Sequence, residues 1–192
     1  YSVTGSQTVV GNSDNSFTYT LNTGTKAENY IITEEKGDLT VTDRAEKYVL
    51  TVTANSGTET YDGTEKSVSG FENLTVTADN GLEYTVSGLN AEAKGTDAGE
   101  YTTAITGTAV VKDAAGNDVT SQFTVNTVAG KLTVNKRSVT LTSGSASREY
   151  DGTPLTNGDV TVSGEGFANG EGATYSVTGS QTVVGNSDNS FT

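Results

Sequence analysis

Carboxylates are the only acid–base groups this sequence supplies in number. It holds 24 Asp and Glu, no His and no Cys. Without His the usual general base and the commonest metal ligand are missing, and a Ser-His-Asp arrangement is impossible. Paired carboxylates alone can hydrolyse glycosides, and Glu34-Glu35 and Glu83 with Glu100 have the right residue types. Acidic residues at turns and on wet strand faces are ordinarily solvated charge, so the expectation is a protein that is not an enzyme. Hard oxygen ligands suit Ca²⁺, and the closest clusters are Asn12-Ser13-Asp14-Asn15 and the run from Asp113 to Asp118. Neither has the spacing of an EF-hand loop, and turn formation accounts for both. No catalytic, cofactor-binding or metal-ligating residue is therefore assigned, and no cofactor is expected.

Two covalent possibilities arise from position. Lys47 and Asn135 lie near the two ends of one repeat, as a Lys–Asn cross-link between first and last strands would require. The matching places in the related repeat hold Lys136 and Thr42, so the Asn is lost there, and Lys47 sits at a strand edge. Asn73-Leu74-Thr75 is a formal glycosylation sequon.

Net charge is −13 at pH 7, and such acidity repels nucleic acid and anionic membrane surfaces while keeping a crowded protein soluble. No apolar run approaches the length of a membrane span. Export signals, which the reading below requires, are expected outside these 192 residues. Cys is absent, so no disulfide staples the fold.

What positions these residues is a series of short strands. Thr is the commonest residue at 35, with 23 Gly and a single Pro, Pro154. Thr is β-branched, and its hydroxyl tolerates the wet face of a sheet. Apolar and polar residues alternate with period two in most segments. From residue 43 to 136 the inward candidates are Leu50, Val52, Leu74, Val76, Leu82, Tyr84, Val86, Tyr101, Thr103, Ile105, Phe123, Val125, Leu132 and Val134. Asn-Gly, Asp-Gly and Ala-Gly pairs separate the runs, as turns demand. Ala91-Glu92-Ala93-Lys94 has room for one helical turn at most. About seven short strands in about ninety residues predict a small antiparallel β-sandwich of immunoglobulin-like type. A β-grasp-like module satisfies the same alternation.

Repetition organises the chain. Tyr1 to Thr18 and Tyr175 to Thr192 are identical over eighteen residues, a period of 174. A weaker internal match joins Tyr61-Asp62-Gly63-Thr64 to Tyr150-Asp151-Gly152-Thr153, Leu50 and Val52 to Val139 and Leu141, and Tyr84–Gly88 to Tyr175–Gly179. Tyr30-Ile31-Ile32, Gly37, Leu39 and Val41 match Phe123-Thr124-Val125, Gly130, Leu132 and Val134. The period therefore holds two related modules. Residues 43–136 are a complete module B, residues 1–42 the C-terminal part of a module A, and residues 137–192 the N-terminal part of the next A copy. Module B carries about nine extra residues between Tyr101 and Phe123, expected as a longer hairpin turn at Val111–Asp118. The A-to-B junction at Thr42–Lys47 is longer and more charged than the one at Asn135-Lys136, so a looser joint is expected there.

Thr96-Asp97-Ala98-Gly99-Glu100-Tyr101 resembles the tyrosine corner of immunoglobulin-like domains, in which a Tyr hydroxyl bonds back to the chain upstream. Phe17 is the nearest equivalent in module A and cannot make that bond. The Tyr-Asp-Gly-Thr motifs, with the hairpins closing at Val41 and Val134, resemble the YDG/MBG-type bacterial Ig-like repeat modules of cell-surface adhesin-like proteins. The resemblance implies tandem modules in an elongated array at the extracellular bacterial surface, with no catalytic residues to carry over. In that setting Asp-Gly makes a tight turn and the Tyr packs beneath it.

The reading that follows is a non-catalytic stalk or spacer whose partners are the neighbouring modules of its own array. A second is an adhesin unit that binds a host glycan or protein by multivalency. A third is strand exchange: residues 137–192 of one chain completed by residues 19–42 of another, giving head-to-tail self-association.

Overall fold

The computed structural model describes all 192 residues. It is all-β, with strands joined by turns and no α-helix. The strands are β1 (Ser2–Val3), β2 (Gly11–Asn15), β3 (Phe17–Thr18), β4 (Gly37–Val41), β5 (Tyr48–Thr53), β6 (Gly57–Thr60), β7 (Lys66–Ser69) and β8 (Thr75–Thr77). They continue as β9 (Glu83–Gly95), β10 (Gly99–Thr102), β11 (Ala104–Lys112), β12 (Phe123–Val128), β13 (Lys131–Asn135), β14 (Val139–Ser143) and β15 (Val160–Gly164). The chain forms two compact units.

The first unit comprises Tyr1–Ala54, Gly70–Ala91 and Ile105–Ala129. Its core is Leu50, Val52, Ala78, Tyr84, Val86, Val111 and Phe123, all buried. Tyr84 and Phe123 pack with ring centroids 4.5 Å apart and planes inclined by 58°, within the distance range of aromatic pairs. β12 runs alongside β5 in parallel, Phe123 opposite Tyr48 and Val125 opposite Leu50. β8 is antiparallel to the start of β9, with Val76 opposite Tyr84. Earlier in the chain β2 pairs β4, and β1 pairs β3.

The second unit comprises Asn55–Ser69, Glu92–Ala104 and Gly130–Thr192. Its centre is a three-stranded sheet in the order β10-β13-β6. β13 is antiparallel to β10 and parallel to β6, with Leu132 opposite both Tyr101 and Gly57. Leu132 and Val134 are buried with Ala93, and Tyr61, Val68 and Tyr101 close around them. β7 pairs the last four residues of β9, and β14 pairs β15.

Three expectations are corrected. The pairing is not wholly antiparallel, because β5 with β12 and β6 with β13 are parallel. Alternation fixes which side chains face inward but not which strand lies alongside. Leu82 is 60% exposed. It belongs to the turn that precedes β9, where the Ala78 N–H donates to the Leu82 carbonyl at 2.9 Å. Ala91–Lys94 is strand, not a helical turn: Ala91 and Ala93 are buried on one face of β9 while Glu92 and Lys94 face water and pair at 2.9 Å.

Candidate functional site

The Tyr-Asp-Gly-Thr motif is a turn that closes on its own Asp. Asp62 Oδ1 accepts the Thr64 N–H at 2.9 Å and the Thr64 hydroxyl at 2.6 Å. Asp151 Oδ1 accepts the same two groups of Thr153 at 2.9 and 2.8 Å. The intervening glycines have φ of 83° and 78°, a region where a side chain is strained. A cation finishes each turn: Lys66 bonds the Asp62 carboxylate, and the Arg148 guanidinium reaches Asp151 at 3.1 Å and the Thr153 hydroxyl at 2.7 Å. The Lys66 ammonium and the Thr64 donors hold the Asp62 carboxyl well below the usual carboxylate range. The Thr153 donors lower Asp151 in the same direction. The two motifs thus share one geometry, and their Asp oxygens are spent on the turn.

Their tyrosines differ. Tyr61 is half-buried against Leu132 and Val134 of β13. Its hydroxyl donates to the Glu171 carboxylate, which pushes the phenol's pKa up. Tyr150 is 69% exposed, so the expected packing beneath the turn holds for Tyr61 and fails for Tyr150. The cause is the missing neighbour: Tyr61 rests on β13, and no strand lies beside residues 146–149.

Tyr101 makes the corner bond: its hydroxyl donates to the Asp97 carbonyl at 2.8 Å. The register shows which residue stands there in the other repeat. Leu132 faces Tyr101 and Leu39 faces Ser13, so Ser13, not Phe17, holds the corner position. Phe17 instead pairs Val3. Part of the extra length of residues 43–136 therefore precedes Tyr101, in β9. The rest lies in the turn after β11, where Asp113 Oδ1 accepts the Ala115 and Asn117 N–H groups at 3.0 and 2.9 Å. Those donors, the Asn117 side-chain amide first, lower the Asp113 pKa.

The other chemistry-bearing residues are dispersed. Glu34, Glu35 and Glu83 are exposed, and Glu100 pairs Lys131 at 2.6 Å. Asp14 meets Lys36 at 3.4 Å. Lys47 and Asn135 are both exposed, whereas a cross-link needs a buried pair. Asn73 Oδ1 accepts the Thr75 N–H at 2.8 Å, so the sequon forms a small turn. No three acidic side chains converge as a metal would require.

Each junction is bonded to the module that it opens. After β13, Arg137 donates to the Gly166 and Glu165 carbonyls at 2.8 and 2.6 Å, and the Ser138 N–H donates to Glu165 Oε2 at 2.9 Å. A cavity of about 290 Å³ lies beside this connector, bounded by Tyr61, Arg137, Phe167 and Glu171. Before β5, the Arg44 N–H donates to Gln122 Oε1 at 2.8 Å, the Gln122 amide donates to Asp43 at 2.6 Å, and the Arg44 guanidinium lies 4.0 Å from the centre of the Tyr48 ring. The charge at Thr42–Lys47 that suggested a looser joint is here engaged in contacts.

The two copies of the eighteen-residue segment fold alike. The Thr4 and Gly5 N–H groups donate to the Ser16 carbonyl at 2.7 and 2.9 Å, and those of Thr178 and Gly179 to Ser190 at 2.8 and 3.1 Å. Gln7 donates to the Val9 carbonyl and Gln181 to that of Val183, each at 2.8 Å. A Cβ on Gly5 would meet Asn15 Cα at 2.6 Å, and one on Gly179 would meet Asn189 Cα at 2.5 Å. Their surroundings differ. In the first copy Gly11–Asn15 is β2, paired with β4. In the second, the Asn189 amide donates to the Gly144 and Asn157 carbonyls, each at 2.9 Å, and Gln181 bridges Leu155.

No protein-family model, curated protein or solved structure matches this chain.

Proposed function

We propose that this chain is a non-catalytic spacer segment of a bacterial extracellular surface protein, built from tandem Ig-like modules of the YDG/MBG type. The observation that carries the reading is the repeat in three dimensions. Identical residues 1–18 and 175–192 form the same local hydrogen bonds in two different places, and two Tyr-Asp-Gly-Thr turns close in the same way. Repeated units that reproduce a conformation without assembling a reactive site serve length and placement. The bond from the Tyr61 hydroxyl to Glu171, which joins residues 43–136 to residues 137–192, favours a semi-rigid series over a flexible string there.

Small-angle scattering tests the spacer. A compact chain of this length has a radius of gyration of about 16 Å. A spacer gives a value clearly above that, with a skewed distance distribution. A compact value rules the spacer out. A glycan array probed with the same chain tests the multivalent adhesin reading, and reproducible glycan binding moves the assignment there.

A further inference from the structure

Two motifs that the sequence singles out in residues 43–136 come together in the structure. The Tyr-Asp-Gly-Thr turn brings Tyr61, and the loop that opens the tyrosine corner brings Ala98, to the wall of the same cavity of about 290 Å³. Tyr61 and Tyr101 both close on the buried Leu132 and Val134. Other residues of that wall, Phe167, Ala168 and Glu171, belong to the repeat that follows. The second compact unit crosses the same boundary, since it holds Asn55–Ser69 and Glu92–Ala104 together with Gly130–Thr192.

The contact between the repeats is turn against turn. Ala168-Asn169-Gly170-Glu171 closes tightly, the Glu171 N–H donating to the Ala168 carbonyl at 2.9 Å. Gly170, with φ of 84°, supplies the positive φ that the third residue of such a turn can require. A turn of this kind sets its first and last residues side by side. Here the last, Glu171, accepts the Tyr61 hydroxyl. The first, Ala168, lies against Gly63: a Cβ added to Gly63 would stand 3.5 Å from the Ala168 Cβ. Ala168 is 5% exposed, and no other residue from 137 to 192 is buried. The one buried residue of that segment is thus one that touches the preceding repeat. Each turn is shaped by bonds inside its own repeat. Arg137 holds the Glu165 and Gly166 carbonyls just ahead of one, and Thr64 and Lys66 close on Asp62 in the other.

We infer that the Tyr-Asp-Gly-Thr turn, with the corner loop beside it, is the seat of a joint whose partner is the Ala168–Glu171 turn of the following repeat. The seat gives the spacer reading, on which it rests, its mechanical part. Chain continuity through Asn135-Lys136 is a single pivot, and a single pivot leaves two bodies free to swing and to rotate. Contacts away from the pivot remove that freedom, and the seat supplies two of different kinds. Gly63 against Ala168 is a close apolar approach that the absence of a side chain at residue 63 permits. Tyr61 on Glu171 is a directed bond to a charged group. The motif divides its work accordingly: Asp62 and Thr64 make the turn, and Tyr61 and Gly63 meet the neighbour. The clasp is small beside the core around Leu132, so it opens before either repeat unfolds.

The test is a distance across the joint, read on the full chain. The sequence has no Cys, so cysteines introduced at Thr58 and Thr140, both exposed, carry spin labels at unique sites on the two repeats. Pulsed electron spin resonance is expected to give one narrow distance. Ala168→Glu puts a charged side chain where the Gly63 turn lies, and is expected to replace that distance by a broad distribution. Tyr61→Phe keeps the ring on β13 and removes only the bond to Glu171, so a lesser broadening is expected. Tyr150→Phe makes the same change in the exposed copy of the motif and is expected to leave the distance intact. Amide exchange in β10, β13, β14 and β15 is expected to stay as in the parent chain, because the joint opens while both repeats remain folded. Where Ala168→Glu loosens β14 or β15, Tyr61→Phe alone decides. A broad distribution in the parent chain overturns the inference. So does a narrow one that Tyr61→Phe leaves unchanged, or one that Tyr150→Phe broadens as much. The spacer reading fails separately, on a compact radius of gyration, and a broad distance in an extended chain removes the joint while keeping the spacer.

Discussion

Replacing Leu132 by Ala removes a fully buried side chain from the smaller of the two cores, where only Ala93 and Val134 are buried beside it. Three carbon atoms leave an apolar site, worth about 2.5 kcal/mol at about 0.8 per methylene. Strands β10 and β6 hold the site open on both sides, so a cavity penalty adds to this and the expected total is about 3 kcal/mol. Leu39 stands at the same place in the same motif but is half-exposed. Leu39→Ala gives up about half the transfer term and leaves no enclosed void, for about 1 kcal/mol. The assay is native-state amide exchange on the full chain, which reads the opening of each unit separately. Residues of β10 and β13 report on Leu132, and those of β2 and β4 report on Leu39. The expected result is a loss two to three times larger for the Leu132 variant. Equal losses refute the reasoning. They would mean that β4 is covered as β13 is, or that β13 is not held from both sides.

Two further outcomes follow from the turns and the corner. Tyr101→Phe deletes the hydroxyl bond to Asp97 while keeping the ring on Leu132, so a loss of about 1 kcal/mol is expected in thermal or urea unfolding, and no loss would show the corner bond to be idle. Asp62 has a pKa lowered in the folded chain, so it releases its proton more readily folded than unfolded. Its stabilising contribution is complete above the ordinary Asp range, about pH 4, and is lost as pH falls through its folded value. Asp62→Asn is expected to flatten the acid limb of a stability-against-pH curve for the second unit. An unchanged limb would show that Lys66 and Thr64 do not hold the carboxylate in solution.

Much of the core was legible, because β strands write burial as alternation. Leu50, Val52, Tyr84, Val86, Phe123, Leu132 and Val134 alternate in the sequence and are buried in the structure. Ala54, Ala78, Ala91 and Ala93 are buried but not legible as core, because a methyl group carries little hydropathy signal. Ala-Glu-Ala-Lys also has good helix propensity. Here the ladder with β7 overrides it. Val111, expected in the turn, is the last buried residue of β11, and the strand runs on through Lys112 before the turn begins. The parallel partnerships were out of reach, since they join strands more than seventy residues apart and leave no local trace. The corner was legible from Asp97 to Tyr101. Its counterpart at Ser13 was not, because that equivalence exists only as a register against β4.

The identical segments separate what the sequence writes locally from what neighbours add. Most bonds within residues 1–18 recur within 175–192 to within a few tenths of an ångström, the bond from the Ser16 N–H to the Asp14 carbonyl excepted, so those eighteen residues largely fix their own path. Strand character at Gly11–Asn15 does not belong to that path. The same residues at Gly185–Asn189 lack β4 beside them and lose the ladder, and their Asn189 amide bonds the Gly144 and Asn157 carbonyls instead. The reverse holds at the other end. Tyr1 is 97% exposed and Val3 57%, while Tyr175 and Val177 are half-buried. Each copy therefore displays a different half of one set of contacts, with its backbone already set for the other half. A segment pre-shaped for a partner loses little conformational entropy on meeting it.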